Sequence, residues 1–339
     1  MTQFFNNSSA GSGTFVNNGP TIGGTGSGFT EFFNNSTADS ATLISNGAPG
    51  GDRGGVIFFH DDSTGGTSRI EVFDNGSLDI SYHNAPSVTV GSIEGTGSIN
   101  LGGNSLMVGS NNASTSFSGV IQDGGDGGGT SGSLTKIGSG ALVLLGASTY
   151  TGDTNVNRGV LQVDGSTTSN TFVNHRGTLA GIGTIQGNVM NNDLGIVRPG
   201  GALGAPGVLT VVQNYTQTQY ATLMIQIAGG NTGDFSVLNV LGNANLNGYL
   251  DPVLLNGFVP TFGQTFTFLD YASLTGEFSH IKHRVFDNGL LQWSVIYEDN
   301  HAILTVEHHT PDQGSTFVLL TLGLLGLVAY RRQLLRGQP

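Results

Sequence analysis

Short apolar stretches recur along the first part of the chain at a nearly constant interval. FFNNSSAGSGTFVNNG begins at Phe4, FFNNSTADSATLISNG at Phe32 and FFHDDSTGGTSRIEVFDNG at Phe58. Each unit has an aromatic pair, a small polar corner, a brief apolar/polar alternation and a closing Asn-Gly step. Asn46-Gly47 and Asn75-Gly76 are read as turns, because both residue types tolerate positive φ. Alternation with period two predicts strands of about four to six residues, whose apolar side chains share one face. No segment before residue 315 sustains a helical period. A repeat of roughly 25 residues holding several short strands predicts a solenoid, in which each coil buries its apolar face only by stacking on its neighbours.

The middle of the chain carries the same pattern in sharper form. In LTKIGSGALVLLG, residues 134–146, Leu142 and Leu144 fall on one side of a strand. In ASTYTGDTNVNRGVLQVDG, ending at Gly165, Leu161 and Val163 do the same. These four are the expected core. Glycines at 138, 140, 146, 152, 159 and 165 stand between the strands, where a coil must turn.

This stretch resembles the autotransporter-associated β-strand repeat, also called the passenger-associated transport repeat. The match runs in register through Leu134, Lys136, Gly138, Gly140, Leu142, Leu144, Gly146, Tyr150, Thr151, Gly152, Thr154, Val156, Gly159, Leu161 and Val163. GTLAGIGTIQGNV and RPGGALGAPGVLTV are similar to segments that follow such repeats in passenger domains. The resemblance covers roughly residues 1–295 and is sharpest over 117–165. It implies an all-β chain folded as a right-handed parallel β-helix, displayed outside a bacterial cell. An autotransporter continues into an outer-membrane barrel of amphipathic strands. Here a short stretch after Tyr271-Ala272-Ser273 leads instead to an apolar segment near 317. Self-translocation through such a barrel is therefore not expected.

That apolar segment, FVLLTLGLLGLVAY at 317–330, carries no charge. As a helix it would span about 21 Å, short of a hydrocarbon core of about 30 Å. Arg331, Arg332 and Arg336 follow it and mark a cytoplasmic stop. A short polar motif, an apolar helix and arginines together resemble the PEP-CTERM class of sorting signals. The closer match is the VPD-GST variant, carried by Pro311, Asp312, Gly314, Ser315 and Thr316, with Thr310 where valine is usual. The resemblance implies processing by an exosortase-type membrane protease and release to the surface or matrix; a tail anchor is the alternative. The expected organisation is coils over 1–116, passenger-type repeat over 117–214, a further β-rich part over 215–309 and a sorting signal over 310–339. MTQFFNNSSA lacks the apolar run of an export signal. The first repeat also begins at Phe4, with no room for a capping coil. The expectation is a longer native gene that starts upstream with a signal peptide.

Composition narrows the functions. Of 339 residues 56 are glycine and only 10% are charged, with a net charge of −12. A nucleic-acid or anionic-membrane partner would require a basic surface, so neither is expected. The absence of cysteine excludes disulfides and thiolate metal sites. Candidate chemistry is sparse. His60-Asp61-Asp62 puts two carboxylates beside an imidazole, a pattern that could serve glycoside hydrolysis. A solvated corner is the plainer reading, and only Arg53 and Arg69 could supply a cation nearby. His280, His283, His308 and His309 are weak metal candidates with no carboxylate at ligand spacing. Asp123 and Asp126 in QDGGDGGG are read as a disordered loop tip rather than a calcium loop. Sequons at Asn7, Asn35, Asn112 and Asn214 are of the number that chance provides in so Asn- and Ser-rich a chain. No catalytic, cofactor or metal residues are expected.

The reading is therefore an exported surface or matrix β-helix, a structural or adhesin-like rod about 50 Å long from ten or so coils. Its Asn, Thr and Ser ladders would meet extracellular glycans or sister molecules. The alternatives are a polysaccharide-degrading β-helix enzyme and an autotransporter passenger fragment.

Overall fold

In the computed structural model, which describes residues 1–21, 26–84, 87–201 and 204–310, the strands stack into a three-sided parallel solenoid. One side is a twelve-stranded sheet running from Thr14–Asn17 to His280–Ile281. A second begins as the six strands from Thr2–Phe4 to Val120–Gln122 and continues through Ala147–Ser148, Ser166–Thr167, Thr184–Ile185 and Val208–Val211. The third runs from Ser87–Val90 through Tyr215–Gln217. In the first coils this side is reduced to the bridges Ser9–Thr37–Thr64. The second and third sides merge where Val237–Leu246 runs unbroken past their corner, with a register shift between Val240 and Asn243. Twelve stacked levels at about 4.8 Å give a rod of roughly 50 Å.

In the repeat, the core expected from alternation is the core observed. Leu142 pairs with Leu161, Leu161 with Leu179 and Leu179 with Val197. All four are buried, as are Leu144 and Val163. Each such side chain contributes about 1.5–3 kcal/mol by leaving water. The corners need glycine for a backbone reason. Gly138 and Gly159 both sit at φ +69°, and a Cβ on either would strike the backbone of the coil beneath.

Three details differ from expectation. The aromatic pair of the third repeat is offset by one position, since Phe32 pairs with Phe59 and Glu31 with Phe58. Phe4 pairs with Phe32, so the step between these coils is more even than the starting points Phe4, Phe32 and Phe58 suggest. A one-position slip exchanges faces. Phe59 is therefore the core residue, and Phe58 turns to the outer side, where Arg53 covers its ring. Positive φ occurs not at Asn46 or Asn75 but at Asn6, Asn34, Asp61 and Asp74, the residues that leave the strands. Finally, parallel stacking does not extend to 295. Thr265–Gly276 pairs parallel with the coil below, but antiparallel with His301–His308 above. Leu291–Tyr297 then pairs antiparallel with His301–His308. This meander closes the end of the solenoid and covers an edge that would otherwise recruit another chain. Trp293, almost fully buried, seals it, edge-on to Phe266 and stacked on Phe286.

Candidate functional site

The His60-Asp61-Asp62 corner is part of two columns that run along the rod. Inside, Phe4, Phe32 and Phe59 stack with centroids 4.8 and 4.9 Å apart. Outside, Phe5 stacks on Phe33 at 5.0 Å, Phe33 on His60 at 4.4 Å, and His60 on Tyr82 at 5.4 Å. The imidazole of His60 therefore replaces a phenyl ring in an aromatic column, with Glu31 at 3.6 Å. Asp61 accepts the backbone N–H of Asn34 at 2.8 Å, repeating the bond from Asn6 N–H to Asn34 Oδ1 at 3.0 Å one coil earlier. Asp62 accepts the Asn84 amide at 3.2 Å. Both carboxylates fasten one coil to the next. Neither cation is free to join them: Arg53 pairs with Asp126 at 2.7 Å and lies over the Phe58 ring, while Arg69 pairs with Glu71 and Glu94.

The QDGGDGGG segment is folded against the rod rather than being a loose tip. Asp123 accepts the N–H of Gly132 at 2.9 Å and the Thr151 hydroxyl at 2.6 Å. Asp79 accepts the Asp126 N–H at 2.8 Å, and Tyr82 donates to the Asp126 carbonyl at 2.9 Å. The four candidate histidines are dispersed. His283 meets Asp251 at 3.1 Å, His280 tilts against Tyr249, His308 stacks on Phe262 and His309 meets Gln292 at 3.2 Å. Among the described residues no three His, Asp or Glu side chains are placed to hold a metal ion.

What the fold does bring together is a row of asparagines. Asn188 donates its amide to Asn170 at 3.0 Å, and Asn214 donates to Asn188 at 3.1 Å. The Asn243 N–H reaches Asn214 Oδ1 at 2.9 Å. A parallel column joins Asn157, Asn174 and Asn192. In the first row Asn188 and Asn214 each use one of two amide N–H groups within the ladder, Asn170 donates its amide to Asp153, and Asn243 enters through its backbone. The result is a line of side-chain amides at about 4.8 Å spacing, beside a shallow depression of about 240 Å³ lined also by Phe172 and Met190. These asparagines come from coils of unequal length, so their separations in the linear sequence differ and hide the row.

The interior also holds polar groups. Lys136 is 1% exposed, and its ammonium donates to the carbonyls of Ile137, Gly138 at 3.2 Å and Arg158 at 3.3 Å. It ties the corners of two coils, and burial lowers its pKa to about 8. Tyr150 is buried with its hydroxyl bonded to Thr154, which bonds Ser169 at 2.6 Å; burial pushes the phenol up. Their spacing within the repeat was legible, but their inward direction was not.

The sorting residues Pro311, Asp312, Gly314, Ser315 and Thr316, the helix expected at 317–330 and the basic stop Arg331, Arg332 and Arg336 lie outside the described residues. Among the described residues, no helix is long and apolar enough to cross a membrane.

Comparison with known proteins bears on these regions. Residues 134–163 match the passenger-associated-transport-repeat family, and residues 311–334 match the VPDSG-CTERM motif. An extracellular serine protease of Serratia marcescens is 49% identical over 78 residues, 23% of this chain and 7% of its own length. The adhesin BmaC autotransporter of Brucella suis is 38% identical over 116 residues, 33% of this chain and 3% of its own. The chain thus spans under a tenth of the length of these relatives. It carries a passenger-type transport repeat within a parallel β-solenoid and a C-terminal sorting motif, the combination of an exported protein of the cell surface or extracellular space handled by membrane sorting machinery.

Proposed function

We propose that this chain is a non-enzymatic, adhesin-like rod of the bacterial surface or matrix. An exosortase-type protease would process it near Pro311–Thr316, with residues 317–330 in the membrane and Arg331, Arg332 and Arg336 as the stop. The organisation proposed is coils over 1–116, repeat over 117–214, a capped part over 215–309 and a sorting signal over 310–339. The partners are extracellular glycans or sister molecules, met by many weak contacts along the rod.

The observation that carries this reading is the exposed asparagine row, Asn170–Asn188–Asn214–Asn243. Repeated side-chain amides favour a repeating ligand over a single small molecule. The occupation of Asp61, Asp62, Arg53 and Arg69 by structural partners favours adhesion over sugar cleavage. The serine protease likeness is local, covering 7% of that protein's length. Attachment of expressing cells to a glycan-coated surface tests the proposal. Attachment should fall when Asn188 and Asn214 are both replaced by alanine. Sugar release by the purified chain that is abolished by Asp61→Asn would favour the enzyme reading instead. Mass spectrometry of the mature C-terminus in the native organism tests the processing step.

A further inference from the structure

The outward side of the twelve-stranded sheet carries a groove that the asparagine row does not use. Register places Glu94, Ser116, Val143, Gln162, Ala180 and Arg198 in one outward column across six successive strands. Glu94, Ser116, Val143, Gln162 and Arg198 line a depression of about 520 Å³, with Val160 beside them. That volume lies within the range small ligands occupy. Ala180, between Gln162 and Arg198, is fully buried. Its small methyl leaves room for the Arg198 side chain to lie across it and join Val160 and Gln162 at the groove.

Arg198 differs from the two arginines of the first coils. Arg53 and Arg69 are each bound to carboxylates, whereas among the described residues Arg198 has no acidic partner and its Nε is buried without an acceptor. A buried, unmatched donor on a charged group costs free energy until an acceptor arrives. The planar guanidinium offers paired N–H groups that suit a carboxylate. Glu94, at the far end, shares Arg69 with Glu71, so that end stays net negative and the ligand carboxylate is placed at the Arg198 end, with four strands between the two.

We propose that this groove binds a carboxylate-bearing sugar, a uronate unit within an otherwise neutral glycan, through Arg198. The inference rests on the adhesive reading and names a ligand class for it. Val143 and Val160 provide an apolar floor for the C–H face of a sugar ring, and Ser116 and Gln162 line its edge with polar groups. An acidic peptide fits less well. The groove lies mid-sheet, where the strands Ala141–Leu144 and Gly159–Val163 are paired on both sides, so no free edge exists for a peptide to extend. The net charge of −12 opposes a densely charged polyanion, which limits the ligand to occasional carboxylates.

The test compares an otherwise neutral gluco-oligosaccharide carrying a single glucuronate with its carboxyl-reduced form, using the full chain. The native form should bind about tenfold more tightly, the worth of one charged hydrogen-bonded contact, and the preference should shrink with salt. Arg198→Gln should abolish the preference while leaving the reduced form bound as before. Val143→Glu, an outward substitution independent of any effect of Arg198 on folding, should abolish it too. Equal binding of both forms, or a preference that survives both substitutions, overturns the inference and leaves the adhesive reading standing. Oligoglutamate bound with the same Arg198 dependence overturns the sugar assignment. Binding of neither oligosaccharide counts against the inference and against glycan adhesion together.

Discussion

The first three coils and the coils of the transport repeat follow the same three-sided path with different contents. In the first, Phe4, Phe32 and Phe59 stack at nearly the interstrand spacing, with planes 5° and 11° apart. In the repeat, Leu142, Leu161, Leu179 and Val197 form an inward column on another side, the twelve-stranded sheet, and the coils between them are distinctly shorter. Register in the aromatic coils is held by ring on ring, inside and out. The repeat coils hold theirs by glycine corners and by Lys136, whose ammonium spans the corners of two levels. The two regions show that a solenoid needs one inward column per side and a fixed corner. The chemistry of each is interchangeable. Both interiors admit hydrogen-bonded polar groups, Thr30 with Asn17 in the first coils and Tyr150–Thr154–Ser169 in the repeat.

The largest expected effect falls on the repeat. Leu144→Asp places an unpaired charge in a stacked core, and should cost about 4 kcal/mol or more, enough to unfold the neighbouring coils. Thermal melting and hydrogen exchange over 117–199 check it; an unchanged melt would falsify the core assignment. In the aromatic coils, Phe32→Ala should cost about 3–5 kcal/mol, because the ring above and the ring below both lose contact. Hydrogen exchange should rise first over 1–72, leaving the repeat protected.

A third prediction separates the regions by pH. Lys136 has a folded pKa of about 8, below its unfolded value of 10.5, because burial opposes its charge. The unfolded chain therefore binds more protons between these values, and stability should rise as pH increases from about 8 toward 10. Above 10 the buried Tyr150 and Tyr215, whose phenols burial pushes up, reverse the slope, since their unfolded counterparts ionise first. Lys136→Met should remove the rise, and should lower stability at pH 7 by about 1–3 kcal/mol as three carbonyls lose their donor. Melting temperature measured from pH 7 to 11 decides the matter. If wild type and variant share one profile, Lys136 does not titrate as a buried amine. The smallest effect belongs to the asparagine row: Asn188→Ala should cost about 1 kcal/mol, with melting curves as the readout and with glycan attachment weakened more than stability.

Much of this was readable from the pattern of residues. Alternation identified Leu142, Leu144, Leu161 and Val163 as core, and the recurring aromatic units identified stacked coils, because both follow from the period of a strand. The matches at 134–163 and 311–334 rest on side chains close in sequence, where spacing alone is informative. Tertiary structure decided the rest. Whether Phe58 or Phe59 faces inward depends on the strand beside it, and the slip of a single position changes the answer. The antiparallel cap from Thr265 to His308 obeys the same alternation as a parallel coil, so only its pairing distinguishes it. The asparagine row and the Arg198 groove join residues from different coils, at intervals set by unequal coil lengths. The asparagine intervals of 18, 26 and 29 residues carry no periodic signal, and either surface exists only once the coils are stacked.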